Sequence, residues 1–281
     1  WITLYSIVTW FNIMDIGLGN GFRNKFAEAV ALNKIEKARK LTEAIYGSSI
    51  IIAFVFFVVY FAVHPFLNWH KILNVSYTFD ENISQIVFWV FVLFSMQMIF
   101  KNIGTILLAL QKTVYSNMVQ FLGSLLALIA IMFLGKLGLA NLRSISVTFM
   151  VSPLLVYLFY TIVLFQKKLK SFIPRNLKVE SYYFREIINL GIKFFFIQIT
   201  TIVMFSSGNF IITQFYGPEQ VTPYNISYRL FASTMSIFTI IIAPFWSAYT
   251  EAMARNDYEW IKMVLKKLNL VWIVFVIGLL A

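Results

Sequence analysis

The sequence predicts an all-α, polytopic membrane protein made of two pseudo-symmetric helical lobes, of which this chain holds about eight transmembrane helices. First, 60% of the 281 residues are hydrophobic and 12% are charged, with a mean hydropathy of +0.78, whereas soluble domains carry about 25% charged residues. Second, apolar runs of membrane-spanning length recur along the chain. Third, a polar segment near the start of the chain returns near its end.

The apolar runs define the predicted spans, since a transmembrane helix needs about 20 mostly apolar residues. The chain begins at Trp1 and stops at Ala281, each inside an apolar run. We therefore expect a part of a longer protein, with incomplete first and last spans. The eight predicted segments are residues 2–16, 44–63, 86–110, 114–134, 145–165, 187–210, 224–246 and 268–281.

The distribution of Lys and Arg predicts the orientation. One alternating set of loops, at residues 17–43, 111–113, 166–186 and 247–267, holds 17 Lys and Arg, while the opposite set holds only Lys71, Lys136 and Arg143. Cytoplasmic loops carry the excess of positive charge. The first set is therefore predicted to be cytoplasmic, and the net charge of +11 indicates membrane topology rather than nucleic-acid binding.

Two copies of a polar segment read EAxAxNxxE, one within residues 15–39 and the other within residues 245–262, at a constant offset of 223 residues. We name them the first elbow and the second elbow. Six predicted crossings separate them, so both should lie on the cytoplasmic face and the repeats should run parallel. The predicted domains are an N-terminal lobe (1–166), a cytoplasmic inter-lobe loop (167–186) and the start of a C-terminal lobe (187–281).

Three cations, Lys101, Lys193 and Arg229, fall inside predicted spans. A charge among lipid tails costs several kcal/mol, so such residues usually face a cavity and bind something. Gln97 lies at helical spacing from Lys101, and Asn225 lies at helical spacing from Arg229. Lys101 and Arg229 are the main candidates for substrate binding, with Gln97 and Asn225 beside them. Lys193 is a further candidate, although snorkelling to the interface is the favoured interpretation there.

Several kinds of chemistry have no support in the sequence. The chain has no Cys and only two His, which excludes disulfides and thiolate chemistry. No metal-ligand cluster, nucleophile with its base, or nucleotide motif is present, so no catalytic residue, metal or cofactor is predicted. The GLGNG segment at residues 17–21 fits a helix terminus with a tight turn rather than a phosphate loop. The complete spans contain no Asp or Glu, which predicts an anionic rather than a cationic passenger.

Four segments resemble the O-antigen and polysaccharide-unit flippases of the Wzx type, in the multidrug/oligosaccharidyl-lipid/polysaccharide exporter superfamily. The resemblance covers nearly the whole chain. The segments are DIGLGNGFRNKFAEAVALNKIEKARK, LLALQK at residues 107–112, NFIITQFYGPEQVTPYNISYRLF at residues 209–231 and APFWSAYTEAMARNDYEWIK at residues 243–262.

The resemblance implies the exporter-superfamily fold, with two six-helix lobes around a cavity that opens alternately to either side of the bacterial inner membrane. It implies a lipid-linked oligosaccharide on a polyprenyl pyrophosphate as cargo for O-antigen, lipopolysaccharide or other surface polysaccharide synthesis. Membrane lipid and a polysaccharide polymerase are the implied partners. Alternatives left open are a multidrug exporter of the same fold, a flippase for the peptidoglycan precursor, and a membrane-bound glycan polymerase or acyltransferase.

Overall fold

The computed structural model describes residues 17–69, 82–177, 179–216 and 221–280, with only some of the side chains between 201 and 237. The first predicted span (2–16) lies outside these residues. The described residues form helices and no strand, which confirms the all-α prediction. The α-helices are α1 (Leu18–Ala31), α2 (Ile35–Val63), α3 (Ile83–Phe100), α4 (Asn102–Ala109), α5 (Thr113–Lys136), α6 (Leu142–Gln166), α7 (Ser181–Tyr216), α8 (Val221–Ala254) and α9 (Tyr258–Leu280).

Four helical segments are long and apolar enough to cross a membrane. They are Ile35–Phe66, Ile83–Ala109, Thr113–Lys136 and Leu142–Gln166, and a bent pair in α8, Ile226–Ser233 with Phe238–Ala254, makes a possible fifth with a 50° bend. Their outward faces are apolar: Phe54 of α2 and Phe121 of α5 are exposed. A protein in lipid exposes such side chains to acyl chains rather than to water. Within the described residues, the structure thus supports four or five of the eight predicted spans.

The repeated sequence of the two elbows is accompanied by repeated backbone geometry. Asn33 ends the turn after α1 with a φ of 54°, and Asn256 ends the turn after α8 with a φ of 58°. The amides of the next residues, Lys34 and Asp257, donate to the carbonyl five positions earlier at 2.8 and 2.9 Å. This is the bonding of a helix that stops at a left-handed residue. Both elbows are therefore helix, left-handed turn and helix.

The packing around the first elbow is close because glycines remove the side chains between α1 and α7. Gly17 begins α1 with a φ of 69°, which agrees with the predicted helix terminus and turn. A Cβ added to Gly21 would lie 2.2 Å from the carbonyl oxygen of Ile187. The backbones of the two helices therefore touch. Beneath this crossing lies the main apolar core, to which α1, α2, α4 and α7 contribute Phe22, Phe26, Leu41, Ile45, Ile103, Ile106 and Ile187.

The segment between α6 and α7 is tied to the first elbow by ion pairs. Lys37 pairs with Glu186 at 2.8 Å and Lys40 pairs with Glu180 at 2.6 Å. The backbone amide of Arg175 donates to Glu43 at 3.1 Å. These contacts place the 167–186 segment beside residues 37–43, as expected if both are on one face. The predicted loop ends early, since α7 already begins at Ser181.

A candidate ligand cavity beside the elbow seam

Lys101 lies at a break in a membrane-spanning segment. It separates α3, which ends at Phe100, from α4, which begins at Asn102. The carbonyl of Lys101 accepts from the amide of Gly104 at 2.9 Å, a tight turn of the three-residue kind. Asn102 fixes the break by donating to Ser49 of α2 at 2.8 Å. Lys101 is half-buried and lies about 12 Å along the helix axis from the end of α4.

Arg23 of α1 is a second cation within the helix bundle, and it is buried. Its Nε donates to the hydroxyl of Ser247 at 3.0 Å, and a terminal amino group donates to the carbonyl of Ala243 at 3.1 Å. The guanidinium lies 5.0 Å from the ring centroid of Trp246, a cation–π distance. Burial lowers the pKa of Arg23 to about 10. The side chain therefore stays positively charged near neutral pH.

Arg23 and Lys101 line one cavity of about 230 Å³, which we name the cationic cavity. Its described walls come from α1, α4, α5, α6 and α7, and none of the described residues that line it carries a carboxylate. Gln198 lines it with a buried side-chain oxygen that has no hydrogen-bond partner among the described residues. The lining therefore offers a ligand positive charge and one polar oxygen without a hydrogen-bond partner among the described residues. The lining residues are Gly19, Asn20, Arg23, Lys101, Gly104, Thr105, Leu108, Ser116, Gln120, Tyr157 and Gln198.

The wall of this cavity continues into a polar contact between the two elbows. Asn24 accepts hydrogen bonds from the indole N–H of Trp246 at 3.0 Å and from the hydroxyl of Thr250 at 2.8 Å. The hydroxyl of Ser247, which accepts from Arg23, donates to the carbonyl of Leu108 at 2.7 Å. We name this contact the elbow seam; it consists of Arg23, Asn24, Trp246, Ser247 and Thr250. The two elbows therefore contact each other directly, and their placement on the cytoplasmic face stays a prediction.

The remaining predicted binding residues have different surroundings. Gln97 donates to the carbonyl of Met150 and thereby links α3 to α6. Lys193 is exposed on α7 and is not part of the cavity lining. Arg229 and Asn225 belong to α8, but their side chains lie outside the described residues. The cavity lining therefore includes Lys101 and Arg23 but neither Gln97 nor Lys193.

The sequence did not indicate that Arg23 lines a cavity, since its position in a polar loop placed it only among the predicted cytoplasmic cations. Arg23 is buried because α8 packs against it through Ser247, which lies 224 positions later in the chain. The residues near Arg23 in the sequence give no sign of that contact. One signal was available: at the offset of 223 residues, position 23 corresponds to Trp246, the ring beside the guanidinium. Within the described part of the chain, no group of three His, Asp or Glu side chains could hold a metal ion.

The fold is that of the transporters of the MOP superfamily. The chain superposes with a TM-score of 0.76 on the outward-facing conformation of a multidrug resistance MATE family transporter, at 15% identity, covering 99% of this chain and 62% of that one. It superposes with a TM-score of 0.75 on a MOP superfamily transporter from Pyrococcus furiosus, at 14% identity, covering 99% of this chain and 61% of that one.

The chain is also similar to a curated protein from Salmonella typhimurium (strain LT2), which is named "Putative O-antigen transporter". The two are 23% identical over 278 residues, which is 98% of this chain and 62% of the relative. The chain thus spans less than two thirds of the length of this relative. No protein-family model matches it.

Proposed function

We propose that the chain is part of a flippase that moves a polyprenyl-pyrophosphate-linked oligosaccharide across the bacterial inner membrane. The cationic cavity carries this proposal, because Lys101 and Arg23 line it together and no carboxylate among the described residues does. Arg and Lys bind phosphate oxygens through charge-assisted hydrogen bonds, which are roughly twice as strong as neutral ones. A pyrophosphate would be neutralised there, while the polyprenyl chain remains in lipid.

Two features of the comparisons support this choice over export of cationic drugs. The curated relative is named as an O-antigen transporter. The Pyrococcus furiosus transporter is described as having a binding pocket of reversed polarity that suggests a different function, so the fold is not restricted to one type of ligand. A positively lined cavity repels an organic cation and attracts a phosphate.

The proposed mechanism is alternating access between an N-terminal lobe (1–166) and a C-terminal lobe that begins near residue 187, joined by the 167–186 segment. The repeated EAxAxNxxE sequence, together with its matching turns at Asn33 and Asn256, supports two copies of one structural unit. Helices that repeat in this way can rock against each other about a site between them.

Cells that lack their own flippase and express the full-length protein provide the test. We expect Lys101→Ala and Arg229→Ala each to reduce surface polysaccharide, because each removes an anion contact, with no change in the amount of protein in the membrane. Lys136→Ala is the matched control, since Lys136 is exposed in the last turn of α5. Normal polysaccharide in the Lys101→Ala, Arg229→Ala double variant would refute the proposal. Loss of drug tolerance instead would favour the multidrug exporter.

A further inference from the structure

Arg23 belongs to two structures at once. Through Ser247, Ala243 and the ring of Trp246 it holds α1 against α8, and with Lys101 it lines the cationic cavity. The seam it closes lies between the two elbows, on the side of the bundle where the polar loops meet. A single side chain therefore contacts both the closed seam and the space where a ligand would bind.

We propose that Arg23 couples the arrival of an anionic ligand to the opening of the elbow seam. This proposal rests on the proposed function, because it needs an anion in the cationic cavity. The acceptors that Arg23 now uses, a hydroxyl and a backbone carbonyl, are neutral. A pyrophosphate oxygen is charged and forms the stronger hydrogen bond. An anion held by Lys101 would therefore draw the guanidinium of Arg23 away from α8.

Loss of Arg23 from the seam removes more than its own two bonds. The hydroxyl of Ser247 loses Arg23 as its donor, although it still donates to the carbonyl of Leu108. Trp246 loses its cation while it still donates to Asn24. The remaining hydrogen bonds from Trp246 and Thr250 to Asn24 are between neutral groups, so each contributes little on its own. A ligand shifts a conformational equilibrium only by binding its two states unequally. Arg23 supplies that difference, because it binds α8 in one state and the anion in the other.

The chain has no cysteine, so crosslinking of introduced thiols gives a direct test once any cysteine in the rest of the full-length protein is replaced by serine. In the purified full-length protein, Asn24→Cys and Thr250→Cys place two thiols across the seam, where the native side chains are 2.8 Å apart. A short bifunctional thiosulfonate should join them, and inorganic pyrophosphate is the probe. We expect pyrophosphate to slow crosslinking at least about 5-fold, the lower range of measured coupling between sites. Lys25→Cys with Glu28→Cys, within α1 alone, should crosslink at an unchanged rate.

Two further variants separate the possible failures. Added to the cysteine pair, Lys101→Gln should leave crosslinking without ligand intact and weaken the response to pyrophosphate. Arg23→Gln should lower crosslinking without ligand and abolish the response. If pyrophosphate binds in a Lys101-dependent manner but crosslinking does not change, the coupling is refuted and the proposed function stands. If pyrophosphate does not bind at all, both the coupling and the proposed function are refuted. If the cysteine pair never crosslinks in the ligand-free protein, the coupling alone is refuted.

Discussion

Gly21 lies where α1 and α7 come closest together. Its place in GLGNG led only to the prediction of a helix terminus with a tight turn, whereas in the structure the missing side chain lets two backbones meet. A Cβ there would lie 2.2 Å from the carbonyl oxygen of Ile187 and 2.9 Å from the amide of Gly191. These neighbours are backbone atoms, which cannot rotate away as a flexible side chain can. Packing of two helices through glycine is common among membrane proteins.

We therefore predict that Gly21→Ala lowers the stability of the full-length protein by about 1–3 kcal/mol, the usual cost of overpacking. Thermal unfolding in detergent measures this as a lower midpoint temperature. Gly135→Ala in α5 is the control, because a Cβ at Gly135 meets no atom within 4 Å. Equal midpoints for the two variants would show that the close approach of α1 and α7 does not limit stability.

At the residue scale, the sequence was informative about charges inside apolar runs and uninformative about contacts far apart in the chain. Lys101 could be singled out because a lone cation within a span is costly whatever surrounds it. The burial of Arg23 could not be predicted, because the side chains around it come from α8, more than 200 positions away. The break at Lys101 was also not predicted, since the apolar run of the predicted span 86–110 continues through it.

At the scale of elements, three turns on the same side of the bundle share one geometry. Asn33, Gln111 and Asn256 have φ values of 54°, 60° and 58°, and each follows the last residue of a helix by two positions. The sequence repeat predicted the likeness of the first and last turns. It did not predict the turn at Gln111, which has the same backbone path without the EAxAxNxxE sequence, because backbone hydrogen bonds alone suffice to end a helix in this way.

Substitution at Asn33 tests this geometry. A β-branched residue is strained at positive φ, so Asn33→Val should destabilise the protein by about 1–2 kcal/mol, whereas Asn33→Gly should have little effect because glycine adopts this conformation freely. Asn33 is exposed, which removes packing as an explanation. Thermal unfolding of the two variants is the measurement. A stable Asn33→Val protein would mean that the turn is not left-handed.

At the scale of the whole molecule, the elbow seam is the contact that brings the two copies of the repeat together. Residues 22–24 correspond to residues 245–247 in the repeat, and Arg23 and Asn24 contact Trp246 and Ser247 directly. Equivalent positions of two repeats meet when they lie near the axis that relates them. This arrangement supports the proposed pair of lobes. It also places the cationic cavity next to the contact that, in the proposed mechanism, opens to give access from the side of the elbows.

Binding of a lipid pyrophosphate to the cationic cavity is the central claim, and direct titration tests it. The purified full-length protein is titrated with farnesyl pyrophosphate and with farnesol, which lacks the phosphates. We predict that farnesyl pyrophosphate binds more tightly than farnesol, and that Lys101→Ala weakens its binding by about 10- to 100-fold, the loss of a charge-assisted hydrogen bond worth about 1.5–3 kcal/mol. Lys136→Ala should bind as the native protein does. Equal affinity for the two compounds, or unchanged affinity in Lys101→Ala, would contradict the claim.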